Sequence, residues 1–150
     1  PVLFIVSILL AGVGLYLDKK EKKAKTKPKN VIDLTNATPM QKESVAQYVR
    51  FVPSPQYAVG KSSTIDVWVK NFSQQPYDNF AVTGTFTTSL EVKDANLFFG
   101  KIAAGETVKQ SWAVKPKIAG WVSINEPTVV FEYMGNRYMC VLDPLWIQVQ

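Results

Sequence analysis

Residues 64–71 read Thr-Ile-Asp-Val-Trp-Val-Lys-Asn, with apolar side chains at every second position from Ile65 to Val69. A period of two places these side chains on one face of a β-strand and the polar ones on the other. The same period recurs in short runs separated by turns, and it predicts an all-β, antiparallel β-sandwich over residues 45–150, with about seven to nine strands. The other candidate segments for these strands are residues 45–52, 80–87, 90–95, 96–102, 107–114, 121–125, 128–133, 137–142 and 145–149.

Two local signals predict turns. Met134-Gly135-Asn136 lies between two predicted strands, and glycine and asparagine tolerate the positive φ of a tight hairpin. Near the start of the domain, Pro39 follows Thr38, and proline is favoured at the first position of a helix. A short helical turn is therefore predicted between Thr38 and Val45.

The first 17 residues carry no charge. A membrane-spanning helix needs roughly 20 apolar residues, and the core of a signal peptide about 7–15, so this length lies between the two. No small-x-small cleavage site follows, and Tyr16 lies where an interfacial aromatic residue is expected. Residues 1–17 are therefore predicted to be a single transmembrane anchor. The alternatives are a residual signal segment and a buried helix, and a buried helix would lack a polar face.

A lysine-rich flank follows this segment. Residues 18–29 hold seven lysines and two acidic residues, which accounts for the net charge of +5. By the positive-inside rule, such a cluster stays on the cytoplasmic, stromal or matrix side, and it can contact anionic lipid headgroups at roughly 1 kcal/mol per lysine. Residues 18–44 are predicted to be this flank and a linker. The lysines assigned to the membrane flank are Lys19, Lys20, Lys22, Lys23 and Lys25.

Charge and residue usage exclude several classes of function. Outside the lysine-rich flank the basic and acidic residues balance, which argues against a nucleic-acid partner. The chain has no histidine, which removes the commonest general base and metal ligand. Its one cysteine, Cys140, lies within a predicted strand and is interpreted as a small buried apolar residue. We predict that the chain is not an enzyme and has no cofactor and no metal.

The candidate site residues are aromatic and basic. The four tryptophans are interpreted mainly as core residues. If Trp68, Lys70 and Tyr77 point outwards together, they mark a partner-binding face. Trp146 belongs to a C-terminal strand that could add to the sheet edge of a neighbouring subunit.

Two Asn-x-Ser/Thr sequons are candidate glycosylation sites. They begin at Asn36 in the linker and at Asn71 at a predicted turn. Both asparagines are expected to be exposed, because an acceptor site must be reached by the modifying enzyme. The two sequons tilt the interpretation slightly towards a luminal domain.

Four segments carry a resemblance to a known family. They are residues 57–60 (Tyr-Ala-Val-Gly), 65–71 (Ile-Asp-Val-Trp-Val-Lys-Asn), 100–108 (Gly-Lys-Ile-Ala-Ala-Gly-Glu-Thr-Val) and 114–121 (Val-Lys-Pro-Lys-Ile-Ala-Gly-Trp). Residues 45–135 resemble the luminal domain of translocon-associated protein beta. The resemblance implies an immunoglobulin-like sandwich, an accessory role in a membrane complex and a location in the endoplasmic reticulum lumen. In that family the anchor is C-terminal, whereas here the apolar segment is N-terminal.

Together these features predict an integral-membrane, single-pass protein whose immunoglobulin-like domain is a non-catalytic accessory or scaffolding subunit. Its partners are expected to be other integral-membrane subunits, with lipid headgroups at the lysine run. The resemblance makes a protein-translocation complex the first candidate. The alternatives are a respiratory or photosynthetic complex, and a tethered adhesion or ligand-binding module. The lysine run favours the cytoplasmic, stromal or matrix side, and the resemblance favours the lumen.

Overall fold

The computed structural model describes residues 36–45 and 47–150, all within one compact unit. The predicted anchor and the lysine run, including Lys19, Lys20, Lys22, Lys23 and Lys25, lie outside the described residues. In chain order the elements are β1 (Thr38–Pro39), α1 (Lys42–Val45), β2 (Val49–Pro53), β3 (Ser63–Lys70), β4 (Tyr77–Phe86), β5 (Leu90–Val92), β6 (Asn96–Ile102), β7 (Thr107–Pro116), β8 (Gly120–Tyr133), β9 (Asn136–Val141) and β10 (Leu145–Val149).

The strands form two sheets, which confirms the predicted all-β class. The larger sheet has six strands in the order β1-β9-β8-β4-β6, with β10 also paired to β8. Both β9 and β10 can pair with β8 because this strand is 14 residues long. It pairs with β4 along one edge and with β9 and β10 in succession along the other. The pairing of β1 with β9 is parallel, and the other pairings in this sheet are antiparallel.

The smaller sheet has four antiparallel strands in the order β2-β3-β7-β5. Strand β3 is central and pairs with β7 along its whole length, from Ser63 to Lys70. Its burial alternates as the sequence pattern predicts: Ile65, Val67 and Val69 are fully buried. The intervening side chains therefore lie on the outer face of this sheet.

The core lies between the two sheets, where their apolar faces pack together. Trp112 of β7 is fully buried and contacts Phe86 of β4 edge-on, with ring centroids 5.2 Å apart. The packing beside Trp112 also requires a glycine at position 84 on β4, because a Cβ there would lie 2.8 Å from Cγ2 of Ile124. The core is therefore tightly packed around the Trp112 ring.

The two predicted strands at 121–125 and 128–133 are one strand, β8. Glu126 has a φ of 46° at the junction, and the register with β4 shifts between Thr83 and Thr85. This irregularity lets the strand continue past Pro127, which cannot donate a ladder hydrogen bond. The division into two predicted strands is therefore wrong, because residues 126–127 form a bulge within one strand and not a turn.

The predicted hairpin at residues 134–136 is confirmed. Tyr133 pairs with Asn136, so Met134 and Gly135 form a two-residue loop. Their φ values are 50° and 83°, as expected for the turn that matches the twist of the flanking strands.

The start of the domain differs from the prediction. Residue 45 ends the short helix α1 and does not begin a strand, because Tyr48 N–H donates to the Val45 carbonyl at 3.0 Å and closes a turn. The helical turn predicted between Thr38 and Val45 is present only in its second half. Thr38 and Pro39 instead pair with β9, so the folded domain begins before the predicted boundary at residue 45.

No helix in the described part of the chain is long and apolar enough to cross a bilayer.

Candidate functional site

The outer face of the four-stranded sheet carries a row of cationic and aromatic side chains. Arg50 on β2 and Lys109 on β7 both lie directly opposite Trp68 on β3. Directly opposed residues in a sheet project to the same side, so Trp68 lies between two cationic side chains. The Trp68 side chain is 39% exposed.

Two of the cations lie over aromatic rings. Nζ of Lys109 is 5.5 Å from the centroid of the Trp68 ring, and Nζ of Lys70 is 5.1 Å from the centroid of the Phe72 ring. Both distances fall in the range of a cation–π interaction. Phe72 is 62% exposed, so its other surface remains open to solvent. We call Arg50, Trp68, Lys70, Phe72 and Lys109 the cationic aromatic face.

Little negative charge offsets this face. Asp66, two residues before Trp68 on β3, is a carboxylate on the same surface, and its Oδ1 accepts a hydrogen bond from Ser111 Oγ at 2.6 Å. Within residues 36–45 and 47–150, no carboxylate forms an ion pair with any of the three cations of the face. The face therefore presents a positive potential around exposed aromatic rings.

A groove with a volume of about 490 Å³ runs along this face. Its lining combines apolar surface with cationic side chains. The lining residues are Gln47, Tyr48, Arg50, Val52, Trp68, Val69, Lys70, Phe72 and Thr107. Such a groove can hold an apolar side chain while the neighbouring cations meet an anionic group.

Asn71 supports this face from the inside, and the prediction that it is exposed is wrong. It is fully buried, and its Nδ2 donates to the carbonyls of Gln75 at 2.8 Å and Ile102 at 3.0 Å. Its Oδ1 accepts from the backbone N–H and the hydroxyl of Ser73. These bonds hold the turn that presents Phe72. Asn36, in the other sequon, is exposed as predicted.

Tyr77 does not belong to the face, because it lies in the core. It is 6% exposed and packs against Phe131 and Tyr48, with ring centroids 4.9 Å and 5.7 Å away. Burial raises the pKa of Tyr77, an effect opposed by a hydrogen bond to Ser73. Burial is also the main cause of the raised pKa of Tyr48. The predicted grouping of Tyr77 with Trp68 and Lys70 is therefore wrong.

Trp146 is exposed, but it lies on the other sheet. It is opposite Ser123 on β8, two positions from Trp121, and the two tryptophans are 57% and 64% exposed. Of the four tryptophans, Trp112 alone is buried, so the interpretation of most of them as core residues is wrong. The exposed residues among the predicted partner residues, Trp68, Lys70 and Trp146, thus fall on two separate surfaces.

Arg50, Phe72 and Lys109 were not identified from the sequence. Alternation correctly places Trp68 and Lys70 on the outer side of β3, but it does not show which strands flank β3 or in what register. Phe72 lies two residues beyond the end of β3, where the period of two no longer applies. The cationic cross-strand neighbours of Trp68 can be identified only once the order of the strands in the sheet is known.

Cys140 is buried, as predicted, at 2% exposure. Burial raises the pKa of its thiol, with a smaller contribution from the Glu43 carboxylate. Among the residues that the structure describes, no three potential metal-ligating side chains cluster together.

No protein-family model matches the chain, and no curated protein matches it. Among solved structures, the chain is similar to part of a GH20 exo-β-N-acetylglucosaminidase from Vibrio harveyi in complex with N-acetylglucosamine, at 13% identity and a TM-score of 0.42. The similarity covers 69% of this chain and 18% of that one, and an inactive mutant of the same enzyme gives the same values. The chain therefore spans less than a fifth of that enzyme, and a likeness at this level carries no argument about its function.

Proposed function

We propose that this chain is a non-catalytic accessory subunit of a larger integral-membrane complex, held by an N-terminal anchor. In this proposal its immunoglobulin-like domain binds a partner subunit through the cationic aromatic face. A protein-translocation complex is the first candidate, on the resemblance of residues 45–135 to translocon-associated protein beta.

The strand order supports an immunoglobulin-like domain. The smaller sheet, β2-β3-β7-β5, corresponds to strands A, B, E and D of that fold, and the path β4-β8-β9 corresponds to C, F and G. The strands also occur along the chain in the order that this assignment requires. Strand β6 is an addition, and it pairs with β4 at the outer edge of the larger sheet.

The observation that carries the proposal is the exposure of aromatic rings among cations on one side of the smaller sheet. Tryptophan and arginine are enriched among the residues that contribute most to protein–protein binding. Phe72 and Trp68 are 62% and 39% exposed and lie beside Lys70, Lys109 and Arg50. A module whose work is to hold a partner needs such a surface and needs no catalytic group.

The membrane part of the proposal rests on the sequence. Residues 1–17 are uncharged, and the lysines that follow are of the kind that flank a membrane span. A respiratory or photosynthetic complex is the second candidate assembly. A tethered adhesion or ligand-binding module is the alternative from a different class, and it would use the same exposed face.

Purification of the full chain from its native membrane in mild detergent tests the proposal. We expect stoichiometric membrane subunits to co-purify, and we expect Trp68→Ala to release them while Trp121→Ala, on the other sheet, retains them. A lone monomer in several mild detergents would defeat the proposal and favour the tethered module. Protease protection of the domain in sealed membranes then shows which side it occupies.

A further inference from the structure

The cationic aromatic face has a regular geometry that selects among ligands. Neighbouring strands lie about 4.8 Å apart, so the backbones at Arg50 and Lys109 are about 9.6 Å apart, with Trp68 midway. Lys70 is two residues further along β3, about 6.8 Å from Trp68. Three cationic side chains thus surround one exposed indole at the spacing of a β-sheet.

We propose that this face binds an extended acidic protein segment in which two carboxylates flank an apolar side chain on one side of the segment. The apolar side chain packs on Trp68 in the groove, and the carboxylates meet Arg50 and Lys109. This inference rests on the proposed partner-binding role of the face and adds the chemistry of the partner.

Charge complementarity supports an acidic ligand. In the described part of the chain, none of these three cations has a carboxylate in an ion pair, whereas Lys42 pairs with Asp143 at 2.7 Å and Arg137 with Glu132 at 3.2 Å. The three cations of the face are therefore available to an anionic ligand. Arg50 can also bind a carboxylate through two parallel hydrogen bonds.

The shape of the face favours a protein segment over a lipid surface. Trp68 is only 39% exposed and borders a groove of about 490 Å³. A partly exposed indole beside a groove can accept a single inserted side chain, as a concave site does. In an extended segment the two carboxylates lie four positions apart on the same side, about 13.6 Å. The long side chains of Arg50 and Lys109 can spread from backbones about 9.6 Å apart to meet them.

The test uses the full chain in detergent and a fluorescein-labelled peptide, Glu-Ser-Leu-Ser-Glu, with binding followed by fluorescence anisotropy. We expect affinity to fall about tenfold when Leu is replaced by Ser in the peptide, because the contact with Trp68 is lost. We also expect it to fall steeply with salt, since exposed charges are screened. The lysines of residues 18–29 would attract any acidic peptide, but they would not distinguish Leu from Ser.

The charge-reversal variant K70E/K109E should lower peptide affinity by about tenfold or more, and Trp68→Ala should do the same. The matched control K61E/K117E changes the net charge equally at two exposed lysines outside the face, and it should leave affinity within about twofold. The neutral variant K70Q/K109Q, with unfolding midpoints for all variants, separates lost binding from lost folding.

Three outcomes would overturn the inference. They are peptide binding that survives K70E/K109E and Trp68→Ala, equal binding of the Leu and Ser peptides, and binding of the face to phosphatidylserine vesicles in place of the peptide. Failure of the proposed function is separate. If subunits co-purify through Trp68 and the acidic peptide does not bind, only this inference fails. If the peptide binds as expected and the chain purifies alone, the accessory role fails and the acidic-segment site stands.

Discussion

The two faces of the smaller sheet each carry a tryptophan, and the two tryptophans have opposite environments. Trp112 on β7 is fully buried, and its indole N–H donates to the Ala95 carbonyl at 2.9 Å. Trp68, on the neighbouring strand β3, is 39% exposed and lies among cationic side chains. The residue type is the same and the two strands are neighbours, so the difference comes from which side of the pleat each side chain occupies. The inner face is used for stability, and we propose that the outer face is used for binding.

The strongest test of this comparison replaces each tryptophan by alanine. Trp112→Ala should lower the free energy of unfolding by about 3–5 kcal/mol, because it leaves a large cavity between the sheets. Trp68→Ala should lower it by less than about 1 kcal/mol, since its ring is partly in water already. Denaturant unfolding of both variants measures the difference. Similar losses for the two would show that the outer face also contributes mainly to stability.

The second test concerns the buried amide of Asn71. Asn71→Ala should cost about 1–3 kcal/mol, because the Ile102 and Gln75 carbonyls lose their donor in a buried site. Asn125→Ala, which removes a partly buried side-chain contact to Ser123, should cost about 0.5 kcal/mol. Chemical denaturation again provides the measurement. Mass spectrometry of the parent protein could instead show an attached glycan that is absent in Asn71→Gln. That result would contradict the buried position of this side chain.

The third test changes one side chain on each side of β4. Gly84→Ala should destabilise the domain by about 1–3 kcal/mol, because the new Cβ would lie 2.8 Å from Ile124 and 3.4 Å from the Trp112 ring. Thr85→Ala, at the adjacent exposed position, should change stability by less than about 0.5 kcal/mol. Thermal unfolding midpoints distinguish the two. A neutral Gly84→Ala would mean that the core around Trp112 can expand.

The smallest expected effect is a pH dependence of stability that arises from the buried thiol of Cys140. Burial raises the pKa of the Cys140 thiol above its ordinary value of 9.0, so the folded state holds this proton more tightly than the unfolded state. The thiol's contribution to stability is therefore complete below pH 9.0 and is lost as the pH rises through the raised pKa. Unfolding midpoints measured across this range should fall less in Cys140→Ala than in the parent.

Tyr48 adds a similar alkaline effect at higher pH, since burial raises its pKa above the ordinary 10.0. Tyr48→Phe therefore serves as the second variant in the same series. An identical pH profile for the parent and both variants would show that neither group is buried enough to couple titration to folding.

Much of the fold follows from the sequence, and the limits are specific. The period of two correctly placed β3, β6, β10 and the hairpin at Met134-Gly135, because alternation and turn chemistry are local properties. It misplaced the start of the domain, where Val45 is buried at the end of a helical turn and not in a strand. It also divided β8 at Pro127, because the bulge that accommodates this residue depends on pairing with β4.

The candidate site was predicted only in part. Trp68 and Lys70 point outwards, which was the condition for the hypothetical partner-binding face, because an outward position on a half-buried strand follows from alternation. The residues next to Tyr77 in the sequence are typical of a surface turn. In the structure Tyr77 lies in the core, where its ring packs against those of Phe131 and Tyr133. Asn71 reads as a surface sequon, but its amide satisfies buried carbonyls from distant parts of the chain.

By itself, the sequence determined the all-β class, the alternation of side chains along each strand and the tight hairpin, since each depends on residues close together in the chain. It also predicts the anchor and the lysine flank, which are properties of composition. The tertiary structure alone decided which strands are neighbours and in what register. Register places Arg50 and Lys109 on either side of Trp68 although they are 59 positions apart in the chain. The partner-binding face that we propose is therefore a product of long-range pairing, which no local pattern encodes.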